Sequence, residues 1–295
     1  MAVWIVPQLR IKGRYQEWWY DYWKSLGEIV GESKIVKEKD CYFTNIQEAI
    51  DYEIETGRQV LKMAKKGDKI LWLDIDFPGF FLGFASHLIK KGVQIYGYVH
   101  GAYFHEGDVW FGTPRKNVMK AELDLCRKVF VGSKYFKNKI LDVLGKEYRS
   151  KIKVVGLPFS FERVRYSYKK KDRCFIFGAN KIDVGIDTVE DYKQALKEAK
   201  YFVGLKKAET FGYTVLEALA SGAYVLVERK FSYPEFWTRN GLLIFFENKR
   251  DLMEKLDRIK QESEQKRKER YWNTRIKLEK KYDKVLDKVA KEMEE

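Results

Sequence analysis

The chain has 295 residues, of which 45% are hydrophobic and 16% aromatic. That is enough apolar material for one large domain or two ordinary ones, and it excludes disorder as the main state. Lys and Arg number 57 against 43 Asp and Glu, and the net charge of +14 points to an anionic partner. Cys41, Cys126 and Cys174 lie far apart with no CxxC spacing, which excludes a disulfide framework or zinc ribbon and predicts buried free thiols.

The apolar run at the N-terminus is too short for a signal peptide, and no stretch approaches the ~20 apolar residues of a membrane span. The sequence therefore predicts a cytoplasmic protein, with peripheral attachment to a membrane left open by its charge. Asn and Gln are scarce beside Lys, Arg and Glu, a thermophile-like composition. The positive charge is spread out: 26 basic against 19 acidic residues in 1–157, 16 against 12 in 158–249, and 15 against 12 in 250–295. The densest local run is Arg163, Arg165, Lys169, Lys170, Lys171 and Arg173. It reads as a solvated linker, with attraction of a phosphorylated donor, an anionic membrane or DNA as the functional alternative.

Taken in order, residues 3–6 form a strand, and a loop runs through Gly13. Tyr15, Trp18, Trp19, Tyr22 and Trp23 then recur at the spacing of one helix face, which predicts rings packed on a sheet. A helix over 46–66 leads to the buried strand 69–73, ending at Asp74-Ile75-Asp76. A helix closed by Gly92 precedes the strand 93–99, which ends at His100. A helix near 116–127, a strand at 129–131, a helix over 134–145 capped by Ser133, and a strand at 151–155 complete the first half. This alternation is that of a doubly wound parallel α/β sheet, whose functional loops lie at the carboxyl ends of strands. Gly13, Asp74, His100 and Ser133 all fall at such ends.

A second unit begins at the strand 174–177 and continues as a helix at 188–199, a strand at 201–204, a loop and helix over 209–222, and strands at 223–227 and 242–246. From Arg250 onward the chain reads as charged helix. Leu278, Tyr282, Val285 and Val289 form a narrow apolar stripe that predicts docking on the body of the protein.

The most informative stretch is 209–222, Glu-Thr-Phe-Gly-Tyr-Thr-Val-Leu-Glu-Ala-Leu-Ala-Ser-Gly. Two carboxylates stand eight residues apart around a helix start. Gly212 allows close approach to the backbone there, and free N–H groups with the helix dipole favour a phosphate. Glu217, inside the helix, suits ribose hydroxyls. Glu209, ahead of it, suits the sugar joined to the phosphates.

This run resembles the E-x7-E donor signature of retaining GT-B glycosyltransferases of the family 4 type. KVFVGSKYFKNKILDVLG, KIKVVGLPF and NGLLIFFENKRDLMEKL resemble further parts of the same pattern, in the same order. The resemblance implies an α/β, GT-B fold: two Rossmann-like domains facing a cleft, with a long charged C-terminal helical segment crossing back. It implies an N-terminal acceptor domain at 1–157, a reduced nucleotide-sugar-binding domain at 158–249, and helices at 250–295 packing back on the body. It further implies transfer from a nucleotide-diphosphate sugar as co-substrate to an unidentified acceptor, with no metal and no other cofactor.

By the same resemblance Glu209 contacts the sugar and Glu217 the ribose. Gly212, Tyr213 and Thr214 hold the diphosphate through backbone and hydroxyl groups, Phe211 belongs to the same donor-binding set, His100 sits beside the sugar, and Gly13 lies near the phosphates. The basic pair of the family pattern is missing, since Val184-Gly185 stands where Lys-Gly is expected and Leu205-Lys206 where Pro-Ser is. Lys181 and Lys206 are the residues placed to supply that charge. Asp74-Ile75-Asp76 imitates a divalent-metal motif but reads as a strand end whose carboxylates cap the next loop. The competing functional class is a nucleic-acid or membrane-surface binding protein on a degenerate GT-B scaffold. A glycosyltransferase that modifies DNA or a lipid combines the two readings.

Overall fold

The computed structural model describes residues 2–11, 15–30, 35–36, 47–76, 79, 81–106, 108, 110–162, 164, 166–167, 169–178, 189–207 and 209–295. The chain divides into two compact units. One comprises Met1–Pro158 with Val285–Glu295, the other Phe159–Lys284.

In the first unit the strands are β1 (Val3–Val6), β2 (Arg10–Ile11), β3 (Glu28–Ile29), β4 (Ile35–Val36), β5 (Lys69–Leu73), β6 (Gln94–Val99), β7 (Lys128–Val131) and β8 (Ile152–Val154). Its helices are α1 (Tyr15–Trp23), α2 (Gln47–Met63), α3 (Phe81–Lys90), α4 (Lys116–Leu125) and α5 (Lys134–Leu144). Six strands make one parallel sheet in the order β3-β1-β5-β6-β7-β8, and β2 pairs with β4 apart from it. Parallel strands covered on both faces need continuous apolar runs, and Ile70, Leu71, Trp72 and Leu73 of β5 are all buried. Trp19 and Trp23 of α1 are buried against Tyr98 of β6, at 6.0 and 5.9 Å between rings. Ser133 caps α5 by accepting from Phe136 N at 3.0 Å.

The second unit holds β9 (Lys171–Phe177), α6 (Val189–Glu198), β10 (Ala199–Gly204), α7 (Tyr213–Ala220), β11 (Tyr224–Glu228), β12 (Leu243–Phe246), α8 (Lys249–Lys260) and α9 (Glu264–Tyr282). Its four strands are parallel in the order β12-β11-β10-β9. The last helix, α10 (Val285–Glu294), belongs to the first unit. There it lies across the strand starts: Tyr96 donates to Met293 O at 3.0 Å, and Lys128 and Lys153 pair with Glu292 at 2.9 and 3.2 Å. The apolar stripe is buried throughout, but Leu278 and Tyr282 serve the second unit while Val285 and Val289 serve the first.

Two expectations need correction. Cys126 is a buried free thiol, but Cys174 is exposed, because β9 is the sheet's edge strand and turns that side chain outward. Cys41 lies outside the described residues. The basic run at 163–173 is not wholly a linker. Lys171 and Arg173 stand in β9, and Lys170 turns inward to donate to Leu196 O at 2.7 Å and Ser221 Oγ at 3.2 Å. It thereby satisfies a carbonyl at the end of α6. Burial, with Arg267 nearby, pushes the Lys170 ammonium down to about 7. Arg163 and Arg165 lie outside the described residues.

Past the end of β5 is a knot of buried acids. Asp74 has φ +96°, accepts from Gln8, and is buried together with Asp76. Burial and their mutual repulsion raise the Asp74 carboxyl well above its ordinary value, and burial raises Asp76. Glu122 of α4 is fully buried, with one oxygen 3.2 Å from Arg115 and the other without a hydrogen-bond partner among the described residues. Burial, then Asp76, pushes Glu122 up to about 8. A carboxyl whose pKa is raised by folding stabilises the fold at low pH, and that contribution fades as pH climbs from the unfolded value of 4.5 to about 8. Urea midpoints of the wild type should therefore fall between pH 5 and pH 8 more steeply than those of Glu122→Gln, which keeps the acceptor for Arg115. Parallel midpoints for the two proteins would show that Glu122 is ionised throughout.

Candidate functional site

The informative stretch lies at the carboxyl edge of the second unit's sheet. β9 and β10 end side by side, and Leu205 N donates to Phe177 O at 2.8 Å. Lys206 follows, its ammonium 5.1 Å from the centre of the Phe177 ring. Gly178, at φ +84°, lies against Lys206, so closely that a Cβ there would fall 2.7 Å from Lys206 Cγ. Lys206 Nζ pairs with Glu209 Oε2 at 2.9 Å. The other oxygen of Glu209 accepts from the backbone N–H groups of Thr210 and Phe211 at 3.1 and 3.3 Å. Glu209 thus organises its own turn, and its side chain is only 12% exposed.

Gly212 is the N-cap of α7, with φ +97° and no side chain to cap the helix. The positive φ suits glycine, and the space demands it: an added Cβ would lie 2.9 Å from Phe236 and 3.0 Å from Tyr233. Phe211 is buried against Phe236, Tyr213 and Tyr282, at 5.4, 5.4 and 5.8 Å, and its carbonyl accepts from Ser232. Tyr233 keeps its proton, because burial and then the negative charge of Glu209 raise its pKa. The uncapped start of α7 presents backbone N–H groups and the positive end of the helix dipole. Thr214 is partly exposed in its first turn.

Glu217, one turn further along, accepts from the Tyr192 hydroxyl of α6 at 2.5 Å. Burial raises its carboxyl above the ordinary value, opposed by Tyr192 and by the charges of Lys193 and Lys206. Lys206 therefore acts on both glutamates: one directly, one through space.

A model of the family described as glycosyl transferase-like matches residues 137–290, which contain this entire loop and helix. The chain belongs to the glycosyl transferase-like family. No curated protein matches it in sequence. Solved structures similar to the transferase include Anabaena HepE in complex with UDP, at 10% identity and TM-score 0.62, covering all of both chains. Sucrose-phosphate synthase from Thermosynechococcus elongatus matches at 13% identity and TM-score 0.65, covering 99% of this chain and 98% of its own. An α,α-trehalose-phosphate synthase from Burkholderia xenovorans matches at 9% and 0.62, covering 99% of this chain and all of its own. The transferase has the GT-B fold of these proteins.

In the first unit of the transferase, His100 follows β6 and sits between Trp19 and Tyr98, whose rings lie 4.5 and 4.7 Å from its own. Burial pushes its pKa down to about 3, so the imidazole is neutral at any working pH. Gly13 and Lys181 lie outside the described residues. Among those described, no group of three or more His, Cys, Asp or Glu side chains is arranged to hold a metal ion.

The second unit thus brings together Lys206, Glu209, Phe211, Gly212, Tyr213, Thr214 and Glu217. Sequence reasoning missed Tyr192, Gly178 and the Ser232–Phe236 segment that supports the turn. The glycine after an apolar strand was a signal for Gly178. Nothing local marks Tyr192, which meets Glu217 only when α6 and α7 pack side by side. Gly212→Ala should cost about 1–3 kcal/mol, from a strained backbone and a clash with buried rings, read as a lower urea midpoint. An unchanged midpoint would mean the turn relaxes without cost.

Proposed function

We propose that the transferase binds a nucleotide-diphosphate sugar at the start of α7 and moves the sugar to an acceptor hydroxyl with retention at the anomeric carbon and without a metal. The observation that carries this reading is the uncapped N-terminus at Gly212, with Glu209 before it, Glu217 after it, and Lys206 paired with the first and acting on the second through space. Two proteins of similar fold support it: HepE, solved with UDP and with UDP-glucose, and a synthase whose name describes a UDP-forming reaction.

In this reading the first-turn N–H groups of α7 hold the diphosphate, with the Thr214 hydroxyl beside them and Phe211 packed beneath the turn. Glu217 accepts the ribose hydroxyls while Tyr192 fixes its rotamer. Glu209, held by Lys206 and its own backbone, faces the sugar hydroxyls. The bond from the anomeric carbon to the phosphate oxygen breaks, and its electron pair leaves with the diphosphate. Lys206 and the helix dipole stabilise that charge, a preorganised electrostatic effect. Lys181 is the second residue assigned to that role, and Gly13 to the loop beside the phosphates. The acceptor oxygen bonds to the anomeric carbon on the face the diphosphate leaves, and its proton passes to the departing phosphate oxygen. His100, the first-unit residue that the resemblance assigns to the sugar, meets any ligand as a neutral imidazole, since charging it among rings carries a desolvation cost.

Hydrolysis of UDP-, GDP- and ADP-sugars tests this directly. Wild type should turn over at least one donor. Glu209→Ala should lower turnover by about a hundredfold or more with unchanged circular dichroism, the scale of losing a transition-state contact. Unchanged turnover in Glu209→Ala would overturn the assignment. Retention is read from the product anomer by NMR, and metal independence from full activity in EDTA. No turnover of any donor, with tight and salt-steep binding of DNA, would favour the binding-protein reading instead.

A further inference from the structure

The net charge of the C-terminal region conceals a local concentration. α9 carries eight basic residues, Lys266, Arg267, Lys268, Arg270, Arg275, Lys277, Lys280 and Lys281, against Glu264, Glu269 and Glu279. All three acids are paired within the helix: Glu264 with Arg267 at 2.7 Å, Glu269 with Lys266 at 3.6 Å, and Glu279 with Arg275 at 2.7 Å. One face, Arg267, Tyr271, Thr274, Leu278 and Tyr282, is buried in the second unit. The opposite face carries Trp272 and Ile276, one turn apart and 40% and 64% exposed, flanked by the exposed Lys268, Lys277 and Lys280. Arg275 lies over the Trp272 ring at 5.4 Å and holds the indole at the surface. Lys277 reaches the carbonyl of Trp237, itself 46% exposed, which adds a second indole near this ridge.

We propose that the outer face of α9 is a docking surface for an anionic lipid bilayer. A tryptophan and an aliphatic side chain at the apex, with lysines on both flanks, match the layered chemistry of a membrane surface. Indole and Ile276 enter the headgroup–acyl boundary, and long lysine side chains reach up to lipid phosphates. A nucleic-acid backbone would use the lysines but gives an exposed isoleucine nothing to bury against. Attachment here is to the surface, since no helix among the described residues is long and apolar enough to cross a membrane. The helix also ends at the donor loop: Tyr282 packs on Phe211 at 5.8 Å. Trp272 precedes Tyr282 by ten residues, about 15 Å of helix. Resting on the donor reading of that loop, a bilayer on the outer face of α9 is joined to the sugar site by one helix, which fits an acceptor presented at a lipid surface.

The test is co-sedimentation of the full chain with phosphatidylcholine vesicles, with and without phosphatidylglycerol. Binding is expected only to the phosphatidylglycerol vesicles and weakens with salt. Trp272→Ala with Ile276→Ala should abolish it. Lys277→Glu with Lys280→Glu should weaken it by about tenfold or more, at roughly 1 kcal/mol per basic residue near the surface. Ile276→Trp should strengthen it, so a gain as well as a loss is required. Hydrolysis of donor in solution should be unchanged in all three variants, which separates failure of the docking surface from failure of the donor site. Equal binding to both vesicle types, retention by the Trp272/Ile276 variant, or binding to a duplex oligonucleotide but not to vesicles would each overturn the proposal.

Discussion

The second unit turns on a backbone constraint at one residue. Gly212 must take a positive φ to carry the chain from the end of β10 into α7, and two rings stand where any Cβ would go. Everything chemical in the loop follows from that turn. It leaves the helix without a capping side chain, brings Glu209 back over its own N–H groups, and puts Glu217 one turn inside. A capped helix start would satisfy its own donors and leave nothing for an anion.

The same region shows how charge is tolerated away from water. Glu209 is compensated by Lys206 and two backbone donors. Glu217 accepts from one tyrosine hydroxyl and feels Lys193 and Lys206 through space, yet burial still raises its proton affinity. In the first unit, separately, burial among rings holds His100 neutral. Burial thus shifts Glu217 toward its protonated form and His100 toward its neutral form. Arg267 links this region to the rest of its unit: its guanidinium donates to Gly222 O at 2.6 Å, tying α9 to the end of α7.

α9 presents two unlike faces. Its buried seam, through Arg267, Tyr271 and Tyr282, fixes the position of α7 and the donor turn. Its outer ridge exposes Trp272 and Ile276 between lysines. A helix needing only solubility would place Lys and Glu there, not Trp272 and Ile276.

Much of the fold could be read in the chain alone, because parallel strands and their covering helices leave local signatures: apolar runs such as Lys69–Leu73, the Ser133 cap, the glycine stops. The E-x7-E spacing was equally local, since both acids belong to one loop and helix. The sequence alone could not show that Lys206 pairs with Glu209, that Tyr192 meets Glu217, or that Lys170 leaves the linker to cap α6. Nor could it show that the apolar stripe across 278–289 is shared between two units. Periodicity and spacing record what a residue does within its own element. Pairing, burial and protonation depend on which elements pack together, and only the tertiary structure decides that.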